Sequence, residues 1–256
     1  MVLGIVQGLT EFLPISSSGH LILVPLVFGW ADQGLPHDVA AHAGSLAAVF
    51  LYFRADLAAV VMAPFRPAGS AGAKLLLLLA VGTLPAVIAG ALLHDIAATM
   101  LRNPLVVATT TMSFGILLWW ADWRGARSRS VEGMTWRDAL VIGTAQCLAL
   151  VPGTSRSGIT MTAGLMLGLD RAAAARFSFL LSAPTILLAV IWEGRLLLMH
   201  EAGPVDWGAM GITTAFSAVC ALITIHYFLK WLAFTGMTPY VVYRLLLGTV
   251  LFAVFL

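Results

Sequence analysis

The chain has 256 residues, 60% of them hydrophobic and 10% charged, with a mean hydropathy of +0.96. Soluble domains carry about 25% charged residues, so this composition excludes a water-soluble enzyme. The apolar runs are far longer than barrel strands, which makes the spanning elements helices. A formal charge of +2 says little about partners; the placement of the basic residues matters more.

In chain order, the first apolar region covers residues 2–28 and is interrupted by Pro14-Ile15-Ser16-Ser17-Ser18-Gly19. Spans are predicted at about 37–53, 74–93 and 104–121, followed by a basic linker, 122–137. A second interrupted region, 138–169, is broken by Pro152-Gly153-Thr154-Ser155-Arg156-Ser157-Gly158. Further spans are predicted at about 172–192, 207–229 and 239–256. A span needs about 17–25 residues. Each half of an interrupted region is shorter, so both regions are predicted to be re-entrant hairpins that enter and leave on one side. Cys147 and Cys220 lie inside apolar runs and read as small core residues. No basic segment follows Met1, so no signal peptide is expected.

The interrupted regions resemble each other. Aligned on Gln7 and Gln146, Leu9 meets Leu148, Ser16 meets Ser155, Ser18 meets Ser157 and Gly19 meets Gly158. Further on, in a second register, Ala86-Val87 meets Ala218-Val219 and His94 meets His226. The predicted fold is therefore an all-α integral membrane protein built as one domain, 1–256. Its repeats cover about 1–121 and 138–256, each one re-entrant hairpin plus three spans. An odd number of spans inverts the second copy, which places a site near the midplane where the broken helices meet.

Loop charge orients this topology. One side receives Arg54, Arg66, Lys74, Arg124, Arg127, Arg129, Arg137 and Lys230. The loops 94–103 and 193–206 on the other side carry Arg102 and Arg195 with Asp95, Glu193, Glu201 and Asp206. The basic side is expected to be cytoplasmic, so the first hairpin opens outward. On the same rule, 124–129 is a positive-inside loop rather than a nucleic-acid patch.

Ionisable groups at membrane depth are costly and usually functional. Gln7 and Glu11 share a helix face, and an amide oxygen beside a carboxylate suits a hard cation such as Mg²⁺. Gln7 could equally bond a packed helix. Ser16 and Ser18 are expected to cap the half-helix that follows Pro14. Ser17 could be a nucleophile with His20 as its base or acid. Arg156, among Ser155, Ser157 and Thr160, offers a bidentate fork for phosphate, or pairs with Glu11 when phosphate is absent. His37 and His42 begin a span near the same mouth, while His94, His200 and His226 fall at span ends or loops.

Gln7-x-x-x-Glu11-Phe-Leu-Pro-Ile-Ser-Ser-Ser-Gly-His20 and Pro152-Gly-Thr-Ser-Arg156-Ser-Gly-Ile-Thr160 resemble the motifs of bacterial undecaprenyl-pyrophosphate phosphatases of the bacitracin-resistance type. Leu84-Pro85-Ala86 and Phe177-Ser178-Phe179-Leu180-Leu181 extend the resemblance nearly end to end. It implies removal of the terminal phosphate of a C55 polyprenyl pyrophosphate, giving the lipid carrier of cell-wall synthesis, with a divalent cation, Mg²⁺ or Ca²⁺, as cofactor. It further implies that Glu11 is metal-linked or catalytic and that Ser17 and His20 lie at the reaction centre. Arg156, Ser155, Ser157 and Thr160 would hold the pyrophosphate, with Ser16 and Ser18 assisting. The expected setting is the bacterial inner membrane, with the site facing the periplasm. Expected partners are the lipid substrate, membrane lipids and, as an option, a second copy in a homodimer. The family often has Glu where this chain has Gln7, which weakens any mechanism needing two carboxylates. The rival reading is a polyprenyl-phosphate flippase or transporter, since inverted repeats with broken helices also mark transporters.

Overall fold

A computed structural model describes residues 1–30, 34–67, 69–100, 103–199 and 205–256. Among them every regular element is helical, and an isolated bridge between Arg129 and Leu169 is the only strand-like pairing. Helices α5 (Ala71–Met100), α6 (Pro104–Arg124), α9 (Arg171–Leu198), α10 (Trp207–Thr235) and α11 (Thr238–Phe255) are long and apolar enough to cross a membrane. A sixth crossing, α3 (Gly34–Tyr52), qualifies only jointly with α4 (Arg54–Val61), which turns away from it by 85°. The chain is a multi-pass membrane protein, because only an internally hydrogen-bonded backbone tolerates such apolar surroundings.

The shorter helices are α1 (Val2–Thr10), α2 (Ser17–Phe28), α7 (Trp136–Gln146) and α8 (Arg156–Met166). Their lengths are 9, 12, 11 and 11 residues. At about 1.5 Å per residue they reach roughly 14–18 Å, about half of a ~30 Å hydrocarbon core. None crosses alone. α1 packs on α2, and α7 on α8, on either side of the breaks.

Two element boundaries differ from the sequence reading. A loop was expected after Phe53, but Arg54-Ala-Asp-Leu-Ala-Ala consists largely of helix formers and makes α4 instead. Phe53, at φ −99° and ψ 25°, makes the corner, and Asp56 of α4 accepts from Arg176 Nη2 of α9 at 2.6 Å. A loop was also expected at 94–103, where hydropathy falls. The helix persists to Met100, since the sequence from 91 to 103 contains no Gly or Pro to end it sooner. Arg102, His200 and Glu201, with the side chains of His94 and Asp95, lie outside the described residues.

The basic linker is held more firmly than a free loop. The Ser128 and Arg129 N–H groups both donate to Gly168 O, and Asp170 N–H donates to Arg129 O. The Arg129 guanidinium pairs with Asp138 at 2.7 Å and donates to Leu167 O at 2.8 Å. Asp138 also closes a capping box with Thr135 that starts α7.

Packing brings the breaks together. α1 lies on α10 and α7 on α5, while α3 meets α9 and α6 meets α11. Glycine permits the closest approaches: a Cβ on Gly8 would stand 2.5 Å from Ser217 O, and one on Gly143 would stand 2.2 Å from Gly82 O. Phe12 is fully buried and meets Phe179 edge-on, with ring centroids 5.2 Å apart. The core thereby fixes the position of its neighbour, Glu11.

Candidate active site

Both breaks end in the same local device. Ser16 and Ser155 take left-handed backbone conformations, with φ of 75° and 70°. Such a conformation costs a non-glycine residue about 1–3 kcal/mol and persists where the surroundings enforce it. Each serine Oγ then accepts from the backbone N–H three residues on, Gly19 N at 3.4 Å and Gly158 N at 3.1 Å. These are N-caps. They launch α2 and α8, so Ser17 and Arg156 occupy equivalent first positions of the two half-helices.

Those first residues converge on one carboxylate. Ser17 Oγ donates to Glu11 Oε2 at 2.6 Å, and Arg156 Nη2 donates to Glu11 Oε1 at 2.7 Å. Gln7 Nε2, one turn back on α1, donates to Glu11 Oε2 at 3.0 Å. Glu11 itself is buried. Arg156 Nη1 reaches Ser178 O of α9 at 3.1 Å, and the guanidinium lies 5.9 Å from the centroid of the Phe12 ring. The fork is thus aimed by a carboxylate, a carbonyl and an aromatic ring at once. The alternative partner foreseen for Arg156, Glu11, is the one it has here.

The other sequence candidates sit around this centre. Ser18 is exposed and lies 3.3 Å from Ser16 Oγ. Ser157 is buried, donates to Leu13 O at 2.9 Å and so ties α8 to the first break. Ser155 Oγ lies 3.2 Å from Ser157 Oγ. Thr160 Oγ1 donates to Arg156 O at 2.9 Å and lies 2.7 Å from Ser178 Oγ. His20 does not bond Ser17: its Nδ1 meets Ser16 O at 2.6 Å and its Nε2 meets Tyr243 Oη at 2.5 Å. His42, on α3, is held by its own helix, its Nδ1 meeting Asp38 O at 2.8 Å.

Arg244 was missed by the sequence reading. It is completely buried on α11. Its guanidinium donates to Thr111 O at 2.8 Å, Pro14 O at 3.2 Å, Thr110 O at 3.4 Å, and Gly153 O and Thr154 O at 3.0 Å each. It has no carboxylate partner among the described residues. One side chain therefore satisfies carbonyls of both breaks, where helical bonding has lapsed, and also reaches two carbonyls of α6. The rule that picked out Glu11, an ionisable group inside an apolar run, would have found it. Thr110 and Thr111 assist by donating to Pro152 O at 2.6 Å and Gly153 O at 3.2 Å. Arg244→Leu strands several buried carbonyls at about 1–3 kcal/mol each. It is expected to cost about 3 kcal/mol or more, lowering Tm in detergent by roughly 6–12 °C. An unchanged Tm would show that the carbonyls find other donors.

A divalent cation is the cofactor expected from the sequence. Gln7 Oε1 is buried without a hydrogen-bond partner, beside the Glu11 carboxylate. An unpaired amide oxygen next to a carboxylate fits a hard, oxygen-seeking cation. No cluster of three or more His, Cys, Asp or Glu side chains suited to a metal occurs among the described residues.

Comparison with known proteins places this geometry in context. A family model described as bacitracin resistance protein BacA matches residues 1–250. The undecaprenyl-diphosphatase of Nitrosococcus oceani is 52% identical, the match covering 100% of this chain and 97% of that protein. Undecaprenyl-diphosphatase 2 of Stutzerimonas stutzeri is 51% identical, with the same coverage of 100% and 97%. The undecaprenyl-diphosphatase of Magnetococcus marinus is 47% identical over 98% of this chain and 96% of its own length.

Proposed function

The chain belongs to the bacitracin resistance protein BacA family, and we propose that it hydrolyses undecaprenyl diphosphate to undecaprenyl phosphate and inorganic phosphate at the Glu11–Ser17–Arg156 cluster. The observation that carries this reading is the convergence of a hydroxyl and a guanidinium, each leading a broken half-helix, on one buried carboxylate. Transport alone gives no reason to aim a hydroxyl at a carboxylate.

In the proposed reaction the terminal phosphate takes over the Arg156 fork, which stabilises charge on the transferring phosphoryl group. Releasing Arg156 frees Glu11 Oε1 while Oε2 keeps Ser17. Ser17 Oγ attacks the terminal phosphorus, its proton passes to Glu11, and the anhydride P–O bond breaks to release the lipid monophosphate. Water then attacks the phosphoserine and gives up a proton that His20 takes, inorganic phosphate leaves, and Glu11 returns its proton to Ser17 Oγ. His20 assists the water step. A divalent cation held by Glu11 and Gln7 Oε1 would neutralise phosphate charge. Ser155, Ser157 and Thr160 support Arg156 from behind.

We place the protein in the bacterial inner membrane as a single domain of two inverted repeats, with the cluster opening to the periplasm. The paired left-handed serines support the repeat. So does the exchange by which α1 packs on α10 while α7 packs on α5. Loop charge supports the orientation.

Purified protein in detergent with Mg²⁺ or Ca²⁺ is expected to release phosphate from a polyprenyl diphosphate, and Glu11→Gln to abolish the release. Lipid movement across vesicles without phosphate release would favour the flippase reading instead. Sidedness is tested in a Cys147→Ala, Cys220→Ala background. Met199 and Ala126 are both exposed and lie on opposite sides in this topology. An impermeant thiol reagent outside the inner membrane is expected to label Met199→Cys and spare Ala126→Cys; the reverse pattern overturns the orientation.

A further inference from the structure

His20 sits on the first turn of α2, three residues after Ser17, and is bonded to neither Ser17 nor Glu11. Its Nδ1 lies 2.6 Å from Ser16 O. A carbonyl only accepts, so Nδ1 carries a proton. The other nitrogen, Nε2, lies 2.5 Å from Tyr243 Oη. The two rings stack, with centroids 5.7 Å apart and an interplanar angle of 12°. Ring orientation and tautomer are thus fixed from both ends, by the backbone of the first break and by a hydroxyl on α11.

Tyr243 is itself held in register by its neighbour. Arg244 is pinned by five carbonyls, two of them from the second break and one from the first. Consecutive helical residues point about 100° apart. While Arg244 points into the core, Tyr243 is turned to the partly exposed rim where His20 stands. A phenol hydroxyl both donates and accepts. It can donate to Nε2 of a neutral imidazole and accept from Nε2–H of an imidazolium, so His20 can change protonation state without losing its place.

We propose that Tyr243 is a positioning residue for His20: its hydroxyl holds Nε2 as the exchanging nitrogen and keeps the imidazole oriented through proton transfer. The proposal rests on the assisting role given to His20 above. A tyrosine inside an apolar span would otherwise be read as packing alone, and the stack by itself would be satisfied by phenylalanine.

Tyr243→Phe removes only the hydroxyl. Expected is a fall in kcat of about tenfold, a fraction of the 10²–10⁴ that a general acid–base group contributes, with KM changed less than about twofold. In a His20→Gln background the same change is expected to have no further effect on kcat, because the group it serves is gone. With ¹⁵N-labelled histidine, the His20 Nε2 resonance is expected to move in Tyr243→Phe while Nδ1 stays protonated. A Tyr243→Phe enzyme with wild-type kcat overturns the proposal, as does a loss that repeats in full in the His20→Gln background or an unmoved Nε2 resonance. If His20→Gln itself keeps wild-type kcat, the positioning role and the His20 assignment both fall. Phosphate release by the wild-type protein would still stand as the separate test of the phosphatase reading.

Discussion

Replacing Arg156 by alanine is expected to lower kcat/KM for a polyprenyl diphosphate by about 10³-fold or more, on the scale of an arginine that stabilises phosphoryl transfer. KM should rise and kcat fall together, because phosphate charge is held both before and during reaction. The structure adds a second consequence. Arg156 Nη2 is the guanidinium partner of the buried Glu11 carboxylate, so its removal leaves a buried charge without its cation, at about 3–5 kcal/mol. Arg156→Ala combined with Glu11→Gln should recover much of the stability and none of the activity. That comparison separates a clamp on phosphate from a salt bridge that only holds α1 to α8. Arg156→Lys should rescue little. Nη1 serves Ser178 O while Nη2 serves Glu11, and an ammonium cannot point both ways from one planar fork. Full activity in Arg156→Ala at normal protein levels would remove Arg156 from the mechanism.

The polar breaks were legible because they violate the hydropathy of their surroundings, and that violation is a sequence property. The alignment of Ser16 with Ser155 and Gly19 with Gly158 could be read before any coordinate. It matches two left-handed serines that each cap through the glycine three residues on. What could not be read was the direction of each side chain. Ser17 and His20 lie three apart, which suggested a pair on one helical turn. Ser17 is the first residue of α2, however, and points back at Glu11, while Nδ1 of His20 returns to the carbonyl that opens the same helix. Position relative to a cap decides this, and spacing alone does not.

Residues that act across large sequence separation were harder still. Tyr243 and Arg244 lie in a span whose neighbours are apolar, and nothing local ties them to breaks more than eighty residues away. Arg244 was nevertheless detectable as a charge at membrane depth. Its meaning depends on tertiary structure: it repairs carbonyls that both breaks leave without helical donors. Boundaries failed for a simpler reason. Hydropathy marks where a helix leaves the apolar layer, and α5 continues past that point because its backbone bonds are its own.

Ser17→Ala is expected to have an effect on the same scale as Arg156→Ala, and it bears on which group attacks phosphorus. Ser17 Oγ lies 2.6 Å from Glu11 Oε2, within reach of a base that could take its proton as it attacks. If Ser17 is the nucleophile, its alanine variant should lose at least about 10³-fold in kcat, since covalent catalysis by the hydroxyl is removed outright. Binding should change little, because Arg156, Gln7 and Glu11 remain. A phosphoserine at position 17 should then accumulate in His20→Gln, where assistance to the incoming water is impaired, and should be found on that residue by mass spectrometry after rapid acid quench. A water nucleophile predicts a different pattern. Ser17→Ala would keep measurable turnover, because its hydroxyl would only orient Glu11, no phosphoenzyme would form, and Glu11→Gln would be the more damaging change. Oxygen-18 from solvent enters the released phosphate by either route and does not discriminate. Loss of turnover in Ser17→Ala with retained binding, together with the trapped phosphoserine, assigns the attack to the hydroxyl; turnover above about a tenth of wild type assigns it to water.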